Sequence, residues 1–171
     1  FRRLANGNFI YIGLEEIPAD AVKRIQGGLL GTELGGGKIQ SDYFREVTPE
    51  GKTVWEWHTH TDLNIEKYVI CPLCPRGDYL HANAIAETKE GGIMISCRHI
   101  NLIAVINKAT NKFSWEYQNL DFGHQHDFHQ LDNGNYMIFA NGAHTARSNA
   151  LGGSQIIEID AVTKEHVWTY K

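Results

Sequence analysis

The sequence predicts an all-β chain of the propeller class, and three observations carry that prediction. Short apolar runs follow Asn-Gly or Gly-Gly turns at "NGNFIYIG" (6–13), "GGIMISCR" (91–98) and "NGNYMIFANG" (133–142). Polar turns then lead into runs with a tryptophan at the same place: "TPEGKTVWEW" (48–57), "NKATNKFSWEY" (107–117) and "DAVTKEHVWTY" (160–170). Those tryptophans, Trp55, Trp115 and Trp168, stand 60 and 53 residues apart. A unit of strand, strand, turn and strand at that period is the signature of a propeller blade.

The chain therefore reads as one partial propeller domain over residues 1–171, with repeats at about 1–57, 80–117 and 124–171. Strands such as "LIAVINK" (102–108) and "SQIIEID" (154–160) fill the space before each tryptophan run. Two insertions interrupt the pattern, at 14–40 and 58–79. In the first, "PADAVKRIQ" (18–26) predicts a short helix, and the glycines after it predict a loop. Three blades do not close a ring, because propellers have about four to eight. The opening "FRRLANGNFIYIG", without an initiator Met, reads as the middle of a domain. The expectation is a fragment whose remaining blades come from the rest of the chain or from another subunit.

Composition removes several function classes. The 171 residues carry 16 Lys+Arg against 20 Asp+Glu, a formal charge of −4. With no basic block there is no nucleic-acid footprint. No apolar run approaches the roughly 18–20 residues of a membrane-spanning helix.

Three cysteines are present, Cys71, Cys74 and Cys97. "CPLCP" is a C-x-x-C, compatible with a disulfide, half of a zinc site or a redox pair. A zinc ribbon needs a second C-x-x-C, which the chain lacks, and no thioredoxin-like helix follows Pro75. The expectation is a loop with a local disulfide or two free thiols. Cys97 is expected on a strand.

Polar residues recur where blades begin and where their second strands end. "DYLHANAIAET" offers His81 and Asn83, and "GHQHDFHQL" offers His124, His126 and His129. The matching strand ends are "SCRHIN", with Arg98 and His99, and "ANGAHTAR", with Asn141, His144 and Arg147. In a propeller such positions converge on the axis. Strand alternation puts His124 and His126 on one face and His129 on the other, provided the strand is not bulged. His99 and His166 are expected at the surface.

In order, "YLHANAIAE", "GGIMISCRHINLIAVINKATNKFSWEY", "GHQHDFHQLDNGNYMIFANG" and "SQIIEIDAVTKEHVWTY" resemble the bacterial aryl-sulfate sulfotransferases and their arylsulfotransferase-like relatives. The shared pattern is H-x-N-x-I, then S-x-R, then Q-H-D, over roughly residues 48–171. The resemblance implies a six-bladed propeller, periplasmic or secreted. It implies cofactor-free transfer of a sulfuryl group from an aryl sulfate ester to a phenol through a sulfated histidine. By motif position the nucleophile is His126, with His81 and Arg98 as the other catalytic residues. His124, Asn83 and Asn141 are expected to contact substrate, as are His58 or His60 in "WEWHTHTD". Arginine suits a sulfate ester, since its planar fork donates to anionic oxygens. A neutral imidazole is a competent nucleophile near pH 7.

Two other readings stand beside this one. One is a non-catalytic propeller for ligand binding or assembly. The other is a His-ligated metal site in the channel, formed by the imidazoles with Asp127, to which His81 adds a third ring. No short metal-binding motif is present.

Overall fold

The computed structural model describes residues 1–145 and 153–171; Arg147 lies outside the described residues. The first sheet holds β1 (Arg2–Arg3), β2 (Phe9–Glu16), β4 (Gln40–Val47) and β5 (Thr53–His58), paired in that order. Between β2 and β4 the chain forms α1 (Ala19–Val22) and β3 (Gly27–Leu29). After β5 come α2 (Thr59–Asp62) and β6 (Ile70–Pro75). The second sheet is β7 (Ala82–Glu87), β8 (Ile93–Cys97), β9 (Leu102–Asn107) and β10 (Lys112–Gln118). The third is β11 (His126–Gln130), β12 (Tyr136–Ala140), β13 (Gln155–Ile159) and β14 (His166–Tyr170). All three are open antiparallel meanders of four strands, one more than the three-strand unit expected. No helix among the described residues is long and apolar enough to cross a membrane.

The second sheet is covered on both faces, and its inner strands are accordingly apolar almost throughout. Alternation sorts them. Ile93, Ile95, Leu102, Ala104 and Ile106 join the core shared with Ile10, Phe44 and Trp57 of the first sheet. Met94, Ile103 and Val105 join Phe128, Tyr136, Ile138 and Ile157 of the third. Cys97 is buried at the end of β8, as expected.

Tryptophans on the last strands connect successive sheets. Trp55 Nε1 donates to Asn111 Oδ1 at 2.8 Å, and Trp57 Nε1 to the Asn111 carbonyl at 3.1 Å. Trp115 Nε1 repeats the contact one sheet later, donating to the Ala161 carbonyl at 2.8 Å. Trp168, on the final strand, is 47% exposed. Trp115→Phe keeps most of the ring and removes one hydrogen bond, so stability should fall by about 1–2 kcal/mol. On a chain of this size a thermal melt should then drop by about 2–8 °C.

A second device recurs in the first and third sheets. Asn6 and Asn8 donate side-chain bonds to Glu46 Oε1 at 2.9 and 2.7 Å. Asn133 and Asn135 do the same to Glu158 Oε1 at 2.9 and 2.8 Å. The intervening Gly7 and Gly134 sit at φ 88° and 91°, where a side chain is strained.

The two insertions depart most from expectation. The predicted 18–26 helix shrinks to one turn, and "CPLCP" is a strand rather than a loop. β3 and β6 pair in parallel, Gly27 opposite Ile70. Arg76, 7% exposed, holds the pair: its guanidinium donates to the carbonyls of Ile25 and Gly27 and to Glu33 Oε1.

Candidate functional site

The site begins with a close backbone approach. Gly123 takes φ 56°, and a Cβ there would stand 2.4 Å from the Gly142 carbonyl carbon. With no side chain in the way, the Gly142 and Ala143 amides donate to the carbonyls of Phe122 and Gly123 at 3.1 and 3.0 Å. That pairing brings the segment before β11 against the segment after β12. His124 and His144 thereby meet, Nε2 to Nδ1 at 2.8 Å.

β6 supplies the other wall. The Cys71 amide donates to the His99 carbonyl at 2.8 Å, which sets the strand beside the turn after β8. Cys74 Sγ lies 3.5 Å from His124 Nε2, and Cys71 and Cys74 Sγ each lie 3.7 Å from His144 Nδ1. Both thiols are free and buried. Burial pushes the Cys74 thiol up to about 11 and pulls His124 down to about 4, so at neutral pH the imidazole is uncharged. His124 Nδ1 donates to the Arg98 carbonyl at 2.9 Å.

Arg98 sits among these groups. Its charge bears on His81, His99, His124 and Cys74, and no carboxylate among the described residues pairs with it in an ion bridge. The His81 ring stacks on His99 with centroids 4.6 Å apart. Its Nδ1 meets Asp78 Oδ2 at 2.6 Å, and this bond raises the His81 pKa against the opposing effect of burial. His99 is buried rather than at the surface as expected: it is 3% exposed, and its Nδ1 donates to the Asp78 carbonyl at 2.7 Å. Beneath them Asp42, pushed up to about 7 by burial, accepts from the Ala82 amide at 2.8 Å.

His126 opens β11. Its Nδ1 lies 2.7 Å from Asn141 Oδ1, an acceptor, so Nδ1 carries the proton and Nε2 keeps a lone pair. Asn83 Nδ2 donates to the Gln125 carbonyl at 2.8 Å, tying the His81 segment to the residue before His126. The alternation argument fails here, because β11 is bulged between His126 and His129 and Asp127 has φ 49°. His129 pairs with Asp127, Nδ1 to Oδ1 at 3.3 Å. Instead of sharing a strand face with His126, His124 precedes the strand and is buried at φ 67°. His81 and His144 also have positive φ, 52° and 56°. Non-glycine residues held there store strain, which concentrates at functional sites.

His58 and His60 form a separate pair that shares one carboxylate. Their Nδ1 atoms lie 2.9 and 3.1 Å from Glu15 Oε2 and Oε1. Thr59, between them, donates from Oγ1 to the Asp42 carbonyl at 2.6 Å, so the pair connects to the Ala82 segment through Asp42.

Cys71, Cys74, Asp78 and His99 join the site from outside the residues expected to catalyse or to contact substrate. C-x-x-C was the one available signal, and it named no partner. His166, expected at the surface, is exposed.

No curated protein matches the chain. Among solved structures it is similar to the 1.35 Å crystal structure of a protein of unknown function from Bacteroides caccae, at 12% identity and a TM-score of 0.48. That match covers 76% of this chain and 38% of the other, so the chain spans well under half of that relative's length. A family model described as arylsulfotransferase (ASST) matches residues 21–171, which include Arg98, both catalytic-candidate histidines and the Cys–His cluster. The chain belongs to the arylsulfotransferase family.

Proposed function

We propose that this chain forms three adjacent blades of a β-propeller and contributes a histidine–arginine site that transfers a sulfuryl group from an aryl sulfate ester to a phenol. The observation that carries the reading is His126, whose Nδ1 is occupied by Asn141 Oδ1 at 2.7 Å and whose Nε2 is left as the nucleophile. Support for the blades comes from packing: β11 lies against β7 and β8, and β7 against β2.

In the first half-reaction His126 Nε2 attacks sulfur. An N–S bond forms, the S–O(aryl) bond breaks, and its electron pair leaves on the phenolate. His81, protonated and held by Asp78, gives its proton to that phenolate. Arg98, which no carboxylate among the described residues bridges, stabilises the sulfuryl oxygens. In the second half the neutral His81 takes the acceptor phenol's proton, the phenolate attacks sulfur, and the N–S pair returns to His126. Two half-reactions through one covalent intermediate predict ping-pong kinetics.

The Asp78–His81 bond gives this a pH test in the complete protein. Asp78 holds the His81 pKa up, so the protonated acid persists to higher pH. In Asp78→Asn the alkaline limb of kcat/KM for the donor should move to lower pH, with melting behaviour tracked alongside. An unmoved limb in a folded variant would remove His81 as the acid.

A further inference from the structure

We propose that Cys71, Cys74, His124 and His144 bind one Zn²⁺ in a closed, tetrahedral Cys2His2 site that clamps β6 to the third sheet. Nothing in the transfer chemistry above uses the two thiols or either of these imidazoles.

Geometry is the first argument. The four ligand atoms all lie within 4.8 Å of one another. Zinc bonds of about 2.3 Å to sulfur and about 2.0–2.1 Å to nitrogen imply tetrahedral edges of about 3.5–3.8 Å where sulfur takes part. Three of the four sulfur–nitrogen distances, 3.5, 3.7 and 3.7 Å, fall in that range, and the fourth, Cys71 Sγ to His124 Nε2, lies within 4.8 Å. The His124–His144 separation of 2.8 Å is instead a hydrogen bond, in which one proton lies between two nitrogens. A dication takes the place between the two nitrogens, the His144 proton moves from Nδ1 to Nε2, and the two thiol protons leave to solvent. The pair then opens by about half an ångström, to the nitrogen–nitrogen edge the same bond lengths give.

The outer contacts are those of a ligand set. His124 Nδ1 donates to the Arg98 carbonyl, which fixes the tautomer and aims the Nε2 lone pair at the thiols. The His124 amide donates to Asn101 Oδ1 at 2.8 Å, so the backbone is pinned as well. Charge also balances. Two thiolates, two neutral imidazoles and a dication sum to zero, which suits a place where Cys71, Cys74 and His124 are 6%, 1% and 1% exposed. Sulfur with imidazole in a tetrahedron selects zinc over the oxygen-seeking Mg²⁺ and Ca²⁺.

Four protein ligands leave no open position, so the role is structural. The ligands come from a strand of the second insertion and from the two segments that approach each other at Gly123 and Gly142. Arg98, bonded through its carbonyl to His124, is thereby held in place by the metal it does not touch.

The test uses the complete protein, reduced, stripped with a chelator and titrated with Co²⁺, then with Zn²⁺. One equivalent of Co²⁺ should give the visible bands of a tetrahedral site with a sulfur-to-metal charge-transfer band, and Zn²⁺ should displace it. Cys74→Ser and His144→Ala should each weaken Co²⁺ binding by at least roughly a hundredfold. The exposed control His129→Ala and the His126→Ala variant should bind as the parent does. Parent protein that binds Co²⁺ as described but shows no sulfuryl transfer would count against the enzymatic reading alone, and His126→Ala that loses transfer while binding Co²⁺ keeps the two readings separate. Two results would overturn the site: octahedral Co²⁺ spectra, or binding indifferent to both ligand variants.

Discussion

His126→Ala should lower acceptor-dependent transfer by more than about a thousandfold, because it removes the atom that forms the covalent bond. The assay is release of nitrophenolate from p-nitrophenyl sulfate in the presence of a phenol, on the complete protein. Donor alone should leave parent protein heavier by one SO3 group, and the variant unlabelled. Peptide mapping should place that group on His126. Asn141 Oδ1 and the neighbouring backbone remain in the variant, so its melting behaviour should stay close to the parent's. A folded variant that still turns over would move the nucleophile to another imidazole. His81 is next in line, since its ring stands beside Arg98 and is partly open to solvent.

The largest expected loss of stability comes from Trp57→Ala, at about 3–5 kcal/mol. Trp57 is fully buried and stacks between Phe44 of β4 and Phe113 of β10, with ring centroids 5.3 and 6.1 Å away. Its Nε1 also donates to the Asn111 carbonyl. Truncation removes the stack, opens a cavity between the first two sheets, and leaves that carbonyl without its indole donor. With about 2–4 °C per kcal/mol, the melting midpoint should fall by about 6–20 °C. Trp57→Phe keeps most of the ring and should lose only about 1–2 kcal/mol. If the alanine variant melts within 2 °C of the parent, the first two sheets are not held together at this stack.

Strands and sheet contacts were legible wherever the signal is local. Asn-Gly turns with alternating apolar residues mark β2 and β12, and the recurring tryptophans mark the strands that reach the next sheet. The site was legible only in pieces. His81, Arg98 and His126 sit in motifs, and motif position gave them roles. His99 misled because a lone histidine beside an arginine reads as surface, while its burial depends on the distant β6 strand. The His124–His126 pairing failed because His124 stands outside the strand in a left-handed conformation, and the bulge between His126 and His129 spoiled alternation beyond it. Cys71 and Cys74 read as a local disulfide or two free thiols because the imidazoles beside Cys74 lie 50 and 70 residues onward, brought there by a glycine contact that spacing does not encode.

The parallel pairing of β3 with β6 has a consequence for how this chain can vary. Residues 17–39 and 63–79 look like two independent surface additions, each removable without harm to the sheet it interrupts. They are instead two halves of one part. Deleting the second strips Arg76 from the carbonyls of Ile25 and Gly27 and leaves β3 an unpaired edge. Deleting the first removes every acceptor the Arg76 guanidinium uses there, the Ile25 and Gly27 carbonyls and Glu33 Oε1. A relative that shortens one excursion must shorten both, so their lengths should rise and fall together across the family.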